Sequence, residues 1–371
     1  MSAFASGSDA ESDRRGMRRA HELALRGWGR TFPNPMVGAV IVAAGDVVGE
    51  GWHGEYGGLH AETVAIAGAG ERARGATLHV TLEPCAHTGK QPPCADAIIA
   101  AGIARVVIAV PDPNPAAAGG ADRLRAAGIV VEMASPDPAA SAYNFRFLHQ
   151  YADSRLPYVA VKLAVSMDAM IADANGRSQW ISGTAALEWV HWLRAGFGAI
   201  AVGARTAVAD DVQLTVRGRV EPRIPPVRVI FDRRGTMSPG HRVFAGNSDA
   251  SVVVIVGSGV NQAARDRIEG AGAGVVVADA LGPALESLAI AGIDSVLVEG
   301  GGRLAGALMR DNLVDRVYQV QAPRWLGSGI PAWPGIEPAA LGDAARWRML
   351  AVELLGDPDI DSDVVIALGR R

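Results

Sequence analysis

Cysteines and long apolar runs are scarce in this sequence. Cys85 and Cys94 are its only cysteines, which excludes the dense disulfide framework of small secreted domains. No uncharged apolar stretch reaches the roughly 18 residues that a transmembrane helix needs, and residues 1–13 lack the apolar core of a secretory signal. We therefore expect a cytoplasmic protein without a membrane partner, whose two cysteines have a role other than a disulfide.

An excess of positive charge is also missing. The 35 basic and 39 acidic residues give a formal net charge of −4, so nucleic acid is not an expected partner. Hydrophobic residues make up 49% and charged residues 20% of the sequence, which is typical of a folded chain. At 371 residues the chain exceeds the size at which one hydrophobic core keeps growing, and this favours two domains.

Two series of strands and helices follow each other along the chain. In the first series, apolar runs from Val37 to Val42 and from Val47 to Trp52 flank a Gly-Asp turn, which predicts a β-hairpin. Val- and Ile-rich runs then alternate with helical stretches, a pattern typical of α/β layers with parallel strands. We predict a flexible tail at residues 1–13, a first domain at 14–154 and a second domain at 155–371, with a Pro-containing linker region between the domains.

One imidazole and two thiols form a candidate zinc site in the first half. His60 begins a His-Ala-Glu motif, and Cys85 and Cys94 each follow a proline. Three such ligands suit Zn²⁺ and leave a fourth tetrahedral position for water, as in catalytic sites. Glu62 would carry protons from that water to a departing amine. Each residue alone has a more ordinary interpretation, but the ordered set matches the zinc-deaminase signature.

The spacing of these residues predicts where they lie in the fold. His60 and Glu62 are separated by one residue and cannot share a face in mid-helix, so we expect them at a helix start. Two prolines precede Cys94 and place it at another helix N-terminus, where the helix dipole favours the thiolate. The sequence therefore predicts that two helix starts converge on one metal ion.

A glycine-rich loop follows a predicted strand in the second half. The strand runs into Glu299-Gly300-Gly301-Gly302, and a helix is predicted from Leu304. Such a loop lets backbone amides approach a phosphate, although a tight turn without a ligand fits the same residues. No acidic residue follows about twenty positions later, so the Rossmann fingerprint is not met.

Longer motifs in the first half resemble a known family. They are Thr-Phe-Pro-Asn-Pro-Met-Val-Gly at 31–38, His-Ala-Glu at 60–62, the run at 81–94 and Asp-Pro-Asn-Pro at 112–115. These motifs resemble the bacterial bifunctional deaminase/reductases of riboflavin biosynthesis. The resemblance implies a cytidine-deaminase-like three-layer α/β domain that binds one zinc ion and deaminates a pyrimidine ribose phosphate. It implies substrate contacts from Asn34, His87, Lys90, Asp112 and Asn114.

The second half resembles the reductase part of the same family. The matching motifs begin at Lys162, Ser178, Arg194, Thr206, Leu214 and Val298. They imply a dihydrofolate-reductase-like α/β domain that binds NADPH without the Rossmann fingerprint. Substrate contacts are implied for Ser178, Arg194, Leu214, Arg217 and Glu299. Cofactor contacts are implied for Ala164, Trp180, Thr206, Asp210, Gly301, Gly302, Arg303, Leu304, Ala305, Gly306 and Ala307.

Several arginines are candidates for binding phosphate groups. The forked guanidinium groups of Arg194 and Arg217 suit the phosphate of the substrate. Arg233 and Arg234 close a predicted strand, and we hypothesise that they bind the 2′-phosphate of NADPH. A solvated strand end fits these two residues equally well.

The sequence departs from the family pattern at three places. The family usually carries a basic residue after the glycine that corresponds to Gly119, where this chain has Gly120. Ala169-Met170 replaces a common Gly-Arg, and Val212 replaces a proline. The first departure puts a phosphate contact from that loop in doubt.

The resemblance implies two consecutive reactions: hydrolytic loss of ammonia from the pyrimidine ring, then hydride transfer from NADPH to the ribosyl group. One rival interpretation is a zinc nucleoside or tRNA deaminase with an accessory nucleotide-binding domain. Another is a non-catalytic, zinc-stabilised nucleotide-binding regulator. The expected partners are small pyrimidine ribose phosphates, and homo-oligomerisation is left open.

Overall fold

A computed structural model describes residues 7–89, 91–135, 142–179, 181–245, 250–336 and 346–370. The chain divides into two compact units, Met1–Ala152 and Asp153–Arg371. No helix in these described ranges is long and apolar enough to cross a membrane.

The first unit is built on a five-stranded sheet of order β2-β1-β3-β4-β5. The elements are α1 Gly7–Ala24, β1 Gly38–Ala43, β2 Asp46–Trp52, α2 Ala61–Ala69, β3 Thr77–Val80, α3 Cys94–Ala101, β4 Arg105–Ile108, α4 Gly120–Ala126, β5 Val130–Met133 and α5 Phe145–His149. The predicted hairpin is confirmed, because β1 and β2 pair antiparallel. β1 is also antiparallel to β3, and only β3, β4 and β5 are mutually parallel.

Helices cover both faces of this sheet. Ala39 and Ile41 of β1 pack in one apolar cluster with residues of α2 and α3, whereas Val40 packs on the other face against Leu23 of α1. Successive residues of a strand point to opposite faces, so this alternation sandwiches the sheet between two helical layers. The three-layer arrangement agrees with the sequence-based expectation.

Helix α1 begins earlier than the sequence indicates. Residues 7–13, expected as part of a flexible tail, are helical. Both carboxylate oxygens of Asp13 accept hydrogen bonds from Arg105 at 2.8 and 2.6 Å, and Asp13 also lies 3.0 Å from the buried ring of His79. The expectation of a flexible tail is therefore wrong for residues 7–13.

The second unit is built on a nine-stranded sheet of order β11-β10-β9-β8-β12-β6-β13-β16-β15. Its strands are β6 Tyr158–Val165, β7 Met170–Asp173, β8 Ala199–Gly203, β9 Val227–Phe231, β10 Val252–Val256, β11 Ala273–Val277, β12 Ser295–Glu299, β13 Arg316–Gln321, β14 Gly329–Pro331, β15 Arg348–Asp357 and β16 Asp361–Gly369. Its helices are α6 Thr184–Ala195, α7 Ala204–Ala209, α8 Gln262–Gly270, α9 Leu281–Ile290 and α10 Gly302–Arg310. β7 and β14 form a separate small ribbon.

Parallel pairing dominates the second sheet. Neighbouring strands pair parallel throughout the series β11, β10, β9, β8, β12, β6 and β13. β16 then pairs antiparallel with β13, and β15 pairs antiparallel with β16. Ala201 of β8 joins an apolar cluster with α9 and α10, whereas Val202 joins the cluster on the opposite face with α7 and α8. The central strands are buried on both faces, as their uninterrupted Val- and Ile-rich sequences predict.

Candidate active sites

Two helix starts and one loop bring the three predicted metal ligands together. His60 is the N-cap of α2, Cys94 is the first residue of α3, and Cys85 lies in the loop after β3. The His60 Nδ1 atom is 3.1 Å from Cys94 Sγ and 3.7 Å from Cys85 Sγ. The helix starts predicted from the His-Ala-Glu spacing and from the Pro-Pro-Cys run are thus confirmed.

This cluster fits a tetrahedral zinc ion. All three ligand atoms lie within 4.8 Å of one another. This is close to the separation of roughly 3.5 Å between ligand atoms that zinc bonds of about 2.0 to 2.3 Å at tetrahedral angles require. The Cys85 pKa is lowered to about 4, first by a hydrogen bond with Cys94 and also by His60. The pKa of Cys94 is raised by the same hydrogen bond. Zinc would replace the proton shared by the two sulfur atoms.

Glu62 lies beside the cluster but is not part of it. It sits in the first turn of α2, is only 3% exposed and lines a cavity of about 420 Å³. Burial raises the pKa of its carboxyl group. A carboxyl group with a raised pKa, next to a metal site and open to a cavity, has the properties of a proton carrier.

Most of the predicted substrate contacts of the first unit line this cavity. Asn34, His87, Asp112 and Asn114 all contribute to its wall. Burial raises the pKa of Asp112, and the side chain of Asn114 accepts a hydrogen bond from the amide of Ala116. Lys90 lies outside the described residues.

His53 is a cavity residue that the sequence analysis missed. Its ring is 3% exposed. Nδ1 lies 3.0 Å from the Leu59 carbonyl oxygen, and Nε2 lies 3.1 Å from the Asn34 side-chain nitrogen. Because burial lowers the His53 pKa, the neutral ring donates from Nδ1 to the carbonyl and accepts at Nε2 from Asn34. His53 therefore fixes the orientation of the Asn34 amide.

Glu83 was also not predicted as a site residue, although it lies within the family motif at residues 81–94. It lines the same cavity, and its carboxylate accepts hydrogen bonds from the amides of Asp112, Gly119 and Ala121. This holds the loop before α4 against the cavity. A Cβ atom on Gly120 would lie 1.7 Å from the Pro84 carbonyl oxygen, so this backbone leaves no room for a basic side chain at that position.

A second cavity, of about 640 Å³, lies in the other unit. It opens at the carboxyl ends of β6, β8 and β12, where ligands of open α/β sheets commonly bind. Predicted residues that line it are Ala164, Ser178, Arg194, Thr206, Asp210, Leu214, Glu299, Gly301, Gly302, Arg303 and Leu304.

The other predicted residues of the second unit that the structure describes do not line this cavity. Arg217 and Arg233 are exposed and lie outside its wall. Ala305 and Gly306 are buried in α10, and a Cβ atom on Gly306 would lie 2.4 Å from the Pro334 carbonyl oxygen. Ala307 follows them on the same helix outside the wall. Trp180 lies outside the described residues.

The glycine loop lies against helix α7. Gly300 and Gly301 have φ angles of 66° and 76°, in the left-handed region that disfavours other residues. A Cβ atom on Gly301 would lie 2.8 Å from the Thr206 hydroxyl oxygen. Gly301 is also the N-cap of α10, so the loop presents backbone to the cavity next to a helix start, as a phosphate site requires.

A buried ion pair forms part of the same cavity wall. Arg194 Nε and Nη2 donate to the two carboxylate oxygens of Glu299 at 2.7 Å each, and Nη1 donates to the Thr215 carbonyl oxygen. Burial alone would raise the Glu299 pKa, but the Arg194 guanidinium holds it below its ordinary value. Arg194 is thus committed to Glu299 and Thr215, with fewer donors left for a substrate phosphate than the sequence suggests.

Lys162 interacts electrostatically with this pair and was not predicted as a site residue. It lines the cavity and is the register partner of Glu299 on the adjacent parallel strand. Burial lowers its pKa, and the negative charge of Glu299 partly offsets that effect. The wall therefore carries a lysine near a carboxylate that Arg194 binds directly.

Comparisons with known families match both units. Residues 10–110 match the cytidine and deoxycytidylate deaminase zinc-binding region, and residues 157–358 match the RibD C-terminal domain. The riboflavin biosynthesis protein RibD of Escherichia coli is 38% identical over 369 residues, covering 93% of this chain and 96% of that protein. The RibD protein of Bacillus amyloliquefaciens is 41% identical over 317 residues, covering 84% of each chain.

Solved structures of similar proteins match nearly the whole chain. Acinetobacter baumannii RibD is 37% identical, has a TM-score of 0.76, and the match covers 98% of this chain and 99% of that chain. A diaminohydroxyphosphoribosylaminopyrimidine deaminase/5-amino-6-(5-phosphoribosylamino)uracil reductase from Thermotoga maritima is 35% identical with a TM-score of 0.77, covering 98% of this chain and all of that chain.

The two units and their cavities define a bifunctional enzyme with a zinc-dependent deaminase domain and an NADPH-dependent reductase domain. The predicted order, a cytidine-deaminase-like α/β domain followed by a reductase α/β domain, is confirmed. The chain belongs to the RibD family of riboflavin biosynthesis proteins. The rival interpretations, an accessory second domain or a non-catalytic regulator, are disfavoured because both enzymatic domains are present.

Proposed function

We propose that the first unit deaminates 2,5-diamino-6-(ribosylamino)-4(3H)-pyrimidinone 5′-phosphate and that the second unit reduces 5-amino-6-(5-phosphoribosylamino)uracil to its ribityl form. The observation that carries this proposal is the presence, on one chain, of a His60-Cys85-Cys94 cluster beside Glu62 and of a separate cavity with a glycine loop. The similar Thermotoga maritima protein, a deaminase and reductase of such pyrimidine ribose phosphates, supports these substrates.

In the deaminase cavity, His60, Cys85 and Cys94 would hold zinc. Zinc, when bound, makes hydroxide available near neutral pH. Glu62 takes up the proton released from water and delivers it to the amine that leaves as ammonia. The raised pKa of its buried carboxyl suits this exchange.

Four side chains of the same cavity are proposed to bind the substrate. Asn34, oriented by His53, and Asp112 and Asn114, held near Glu83, offer amide and carboxyl groups to the pyrimidine edge. His87, exposed at the cavity wall, is proposed for the ribose phosphate end. For Lys90 we retain the phosphate contact proposed from the sequence, because a phosphate needs a cation.

In the reductase cavity, NADPH supplies the hydride when bound. Its proposed contacts are Ala164, Trp180, Thr206, Asp210 and the Gly301 to Leu304 segment. The pyrophosphate would lie on the glycine loop at the start of α10, where backbone amides and the helix dipole favour an anion. Residues 305–307 would support this loop through helix α10.

The substrate of the second unit is proposed to lie against Ser178, Leu214 and the Arg194-Glu299 pair, with Arg217 nearer its phosphate. Reduction of the ribosyl group consumes one hydride and one proton. Lys162 is placed to supply that proton, because its ammonium lies in the cavity wall with a pKa lowered by burial. The ion pair between Glu299 and Arg194 compensates charge in the surroundings of Lys162.

The proposal is tested with purified full-length chain, zinc, NADPH and the diaminopyrimidine substrate. Mass spectrometry should detect first the deaminated product and then the product that has gained a hydride and a proton. Ammonia release from a nucleoside or tRNA, without turnover of the ribose phosphate, would contradict the proposed substrate class.

Small pyrimidine ribose phosphates are the partners these reactions require, and a cytoplasmic location remains our proposal. A second copy of the chain is a further proposed partner. The edge strand β15 exposes Met349, Val352 and Leu354, and unpaired edge strands favour pairing with another chain. Light scattering of the full-length chain measures this association, and a strictly monomeric mass would contradict it.

A further inference from the structure

The second cavity has more positive than negative charge on its described wall. Four cations line it, Lys162, Arg194, Arg205 and Arg303, against two acids, Asp210 and Glu299. Lys162 and Arg194 are the two cations associated with Glu299. The surplus therefore lies at Arg205 and Arg303, and it suits an anionic ligand.

Arg205 is free to bind such a ligand. It is exposed to the cavity, and no hydrogen bond or ion pair engages its guanidinium within the described part of the chain. It occupies the first turn of α7, immediately before Thr206. Because Thr206 abuts the glycine loop at Gly301, Arg205 is one residue away from the proposed cofactor site.

Arg233, the sequence-based candidate for the cofactor's 2′-phosphate, is placed differently. Its carbonyl oxygen accepts a hydrogen bond from Gly257, in the turn after β9. Hydrogen bonds from Ser258 hold the pKa of Asp279 below its ordinary value, and the positive charge of Arg233 adds a smaller effect, so Arg233 lies near an acid that is not part of the cavity wall. Of the two arginines, only Arg205 lines the cavity.

The anionic group that Arg205 would bind is the phosphate of NADPH that the glycine loop does not hold. Backbone amides at the start of α10, together with Arg303 in its first turn, offer donors for the pyrophosphate. NADPH carries one further phosphate, on the 2′ position of its adenosine ribose. Arg205 is the wall cation that remains for this group, because Arg194 is bound to Glu299 and Arg303 lies at the start of α10.

We propose that Arg205 binds the 2′-phosphate of NADPH and gives the reductase its preference for NADPH over NADH. This inference rests on the proposed placement of the cofactor on the glycine loop. A guanidinium binds phosphate through two parallel hydrogen bonds, whereas NADH offers it only a hydroxyl group.

The test compares dissociation constants of NADPH and NADH for the full-length chain by fluorescence titration. In Arg205→Gln, NADPH affinity should fall about tenfold to a hundredfold, as expected for loss of a charge-assisted contact. NADH affinity should change less than about threefold, and Arg205→Lys should lie between. Arg155→Gln, at an exposed position outside the cavity wall, is the matched control and should leave both constants unchanged.

Competition by 2′,5′-ADP and by 5′-AMP gives a second readout that is independent of turnover. Only 2′,5′-ADP should lose affinity in Arg205→Gln. An equal loss for NADPH and NADH would overturn the proposal in favour of a pyrophosphate contact. Loss of preference in Arg233→Gln but not in Arg205→Gln would overturn it in favour of the strand-end arginine.

The same experiment separates this inference from the proposed function. A wild-type chain that binds neither cofactor would contradict the cofactor site itself. A wild-type chain that prefers NADPH, with the preference unchanged in Arg205→Gln, would contradict only the role of Arg205.

Discussion

Arg194 and Glu299 face each other in the reductase cavity through two hydrogen bonds of 2.7 Å each. Arg194 lies at the end of α6 and Glu299 at the end of β12, so the pair joins two elements distant in sequence. The side chains of Arg194 and Glu299 are only 14% and 11% exposed, so water can hardly hydrate either group if its partner is removed. The pair therefore contributes to the fold as well as to the charge of the cavity.

Removing one partner of this pair should destabilise the chain strongly. Arg194→Met removes both hydrogen bonds that the guanidinium donates to Glu299, and removal of one partner of a buried ion pair costs about 3 to 5 kcal/mol. Urea denaturation of the full-length chain measures the loss. The double variant Arg194→Met with Glu299→Leu should recover part of it, and equal costs for the single and double variants would contradict the pairing argument.

Asp13 should stabilise the first unit more than its exposed neighbour does. Asp13→Asn removes the charge that Arg105 holds through two hydrogen bonds, at a cost of about 1 to 2 kcal/mol after allowance for partial exposure. Glu11→Gln, whose exposed partner is Arg14, is the control and should have almost no effect.

The contribution of Asp13 should also depend on pH. The hydrogen bond with Arg105 holds the Asp13 pKa below its ordinary value, and His79 adds to this effect. Its stabilisation is therefore complete above the unfolded carboxyl pKa and is lost as pH falls through the lower folded value. The difference in unfolding free energy between wild type and Asp13→Asn, followed from neutral to acidic pH, should shrink. A difference that grew on acidification would reverse the assigned sign.

Relief of backbone strain should stabilise the second unit. Ala169 has a φ angle of 59°, where a Cβ atom costs about 1 to 2 kcal/mol. Ala169→Gly removes that cost but adds unfolded-state entropy, for a net gain of about 0.5 kcal/mol. Ala264→Gly, within helix α8, should instead cost about 1 kcal/mol. Thermal unfolding of both variants decides the matter, and a destabilised Ala169→Gly would count against the strain argument.

NADPH binding should depend on the glycine loop and not on zinc. Gly301→Val puts a branched side chain at a φ angle of 76° and against the Thr206 hydroxyl, so NADPH affinity should fall at least about tenfold. Chelation of zinc should leave NADPH affinity unchanged, because the cluster and the loop lie in different units. Unchanged NADPH affinity in a folded Gly301→Val chain would remove the cofactor from this loop.

The metal site was predictable because its determinants are local. Two prolines before Cys94 and the one-residue gap between His60 and Glu62 specify two helix starts, which supply two of the three ligands, and Cys85 comes from the loop after β3. Strand β6 has the Val- and Ala-rich sequence expected of a buried parallel strand, interrupted only by Lys162. Strand β15 was missed because much of it is exposed, so its sequence lacks the buried pattern.

The roles of single side chains were less accessible from sequence. A lysine on a strand, such as Lys162, carries no local sign that a glutamate lies at the same register on a strand far along the chain. Arg233 was expected to close a strand but lies in the turn after β9, and only the three-dimensional structure shows that Arg205 lines the cavity wall instead. His53 is recognisable only from its contact with Asn34.

The central claim is that two independent chemistries reside on one chain. The most direct test measures ammonia release from the diaminopyrimidine and NADPH oxidation with the deaminated substrate, in Glu62→Gln and Lys162→Met. Glu62→Gln should keep its zinc and lose about 10²- to 10⁴-fold in ammonia release, with NADPH oxidation unchanged. Lys162→Met should show the reverse. If either variant silenced both reactions while remaining folded, the assignment of one reaction to each cavity would be contradicted.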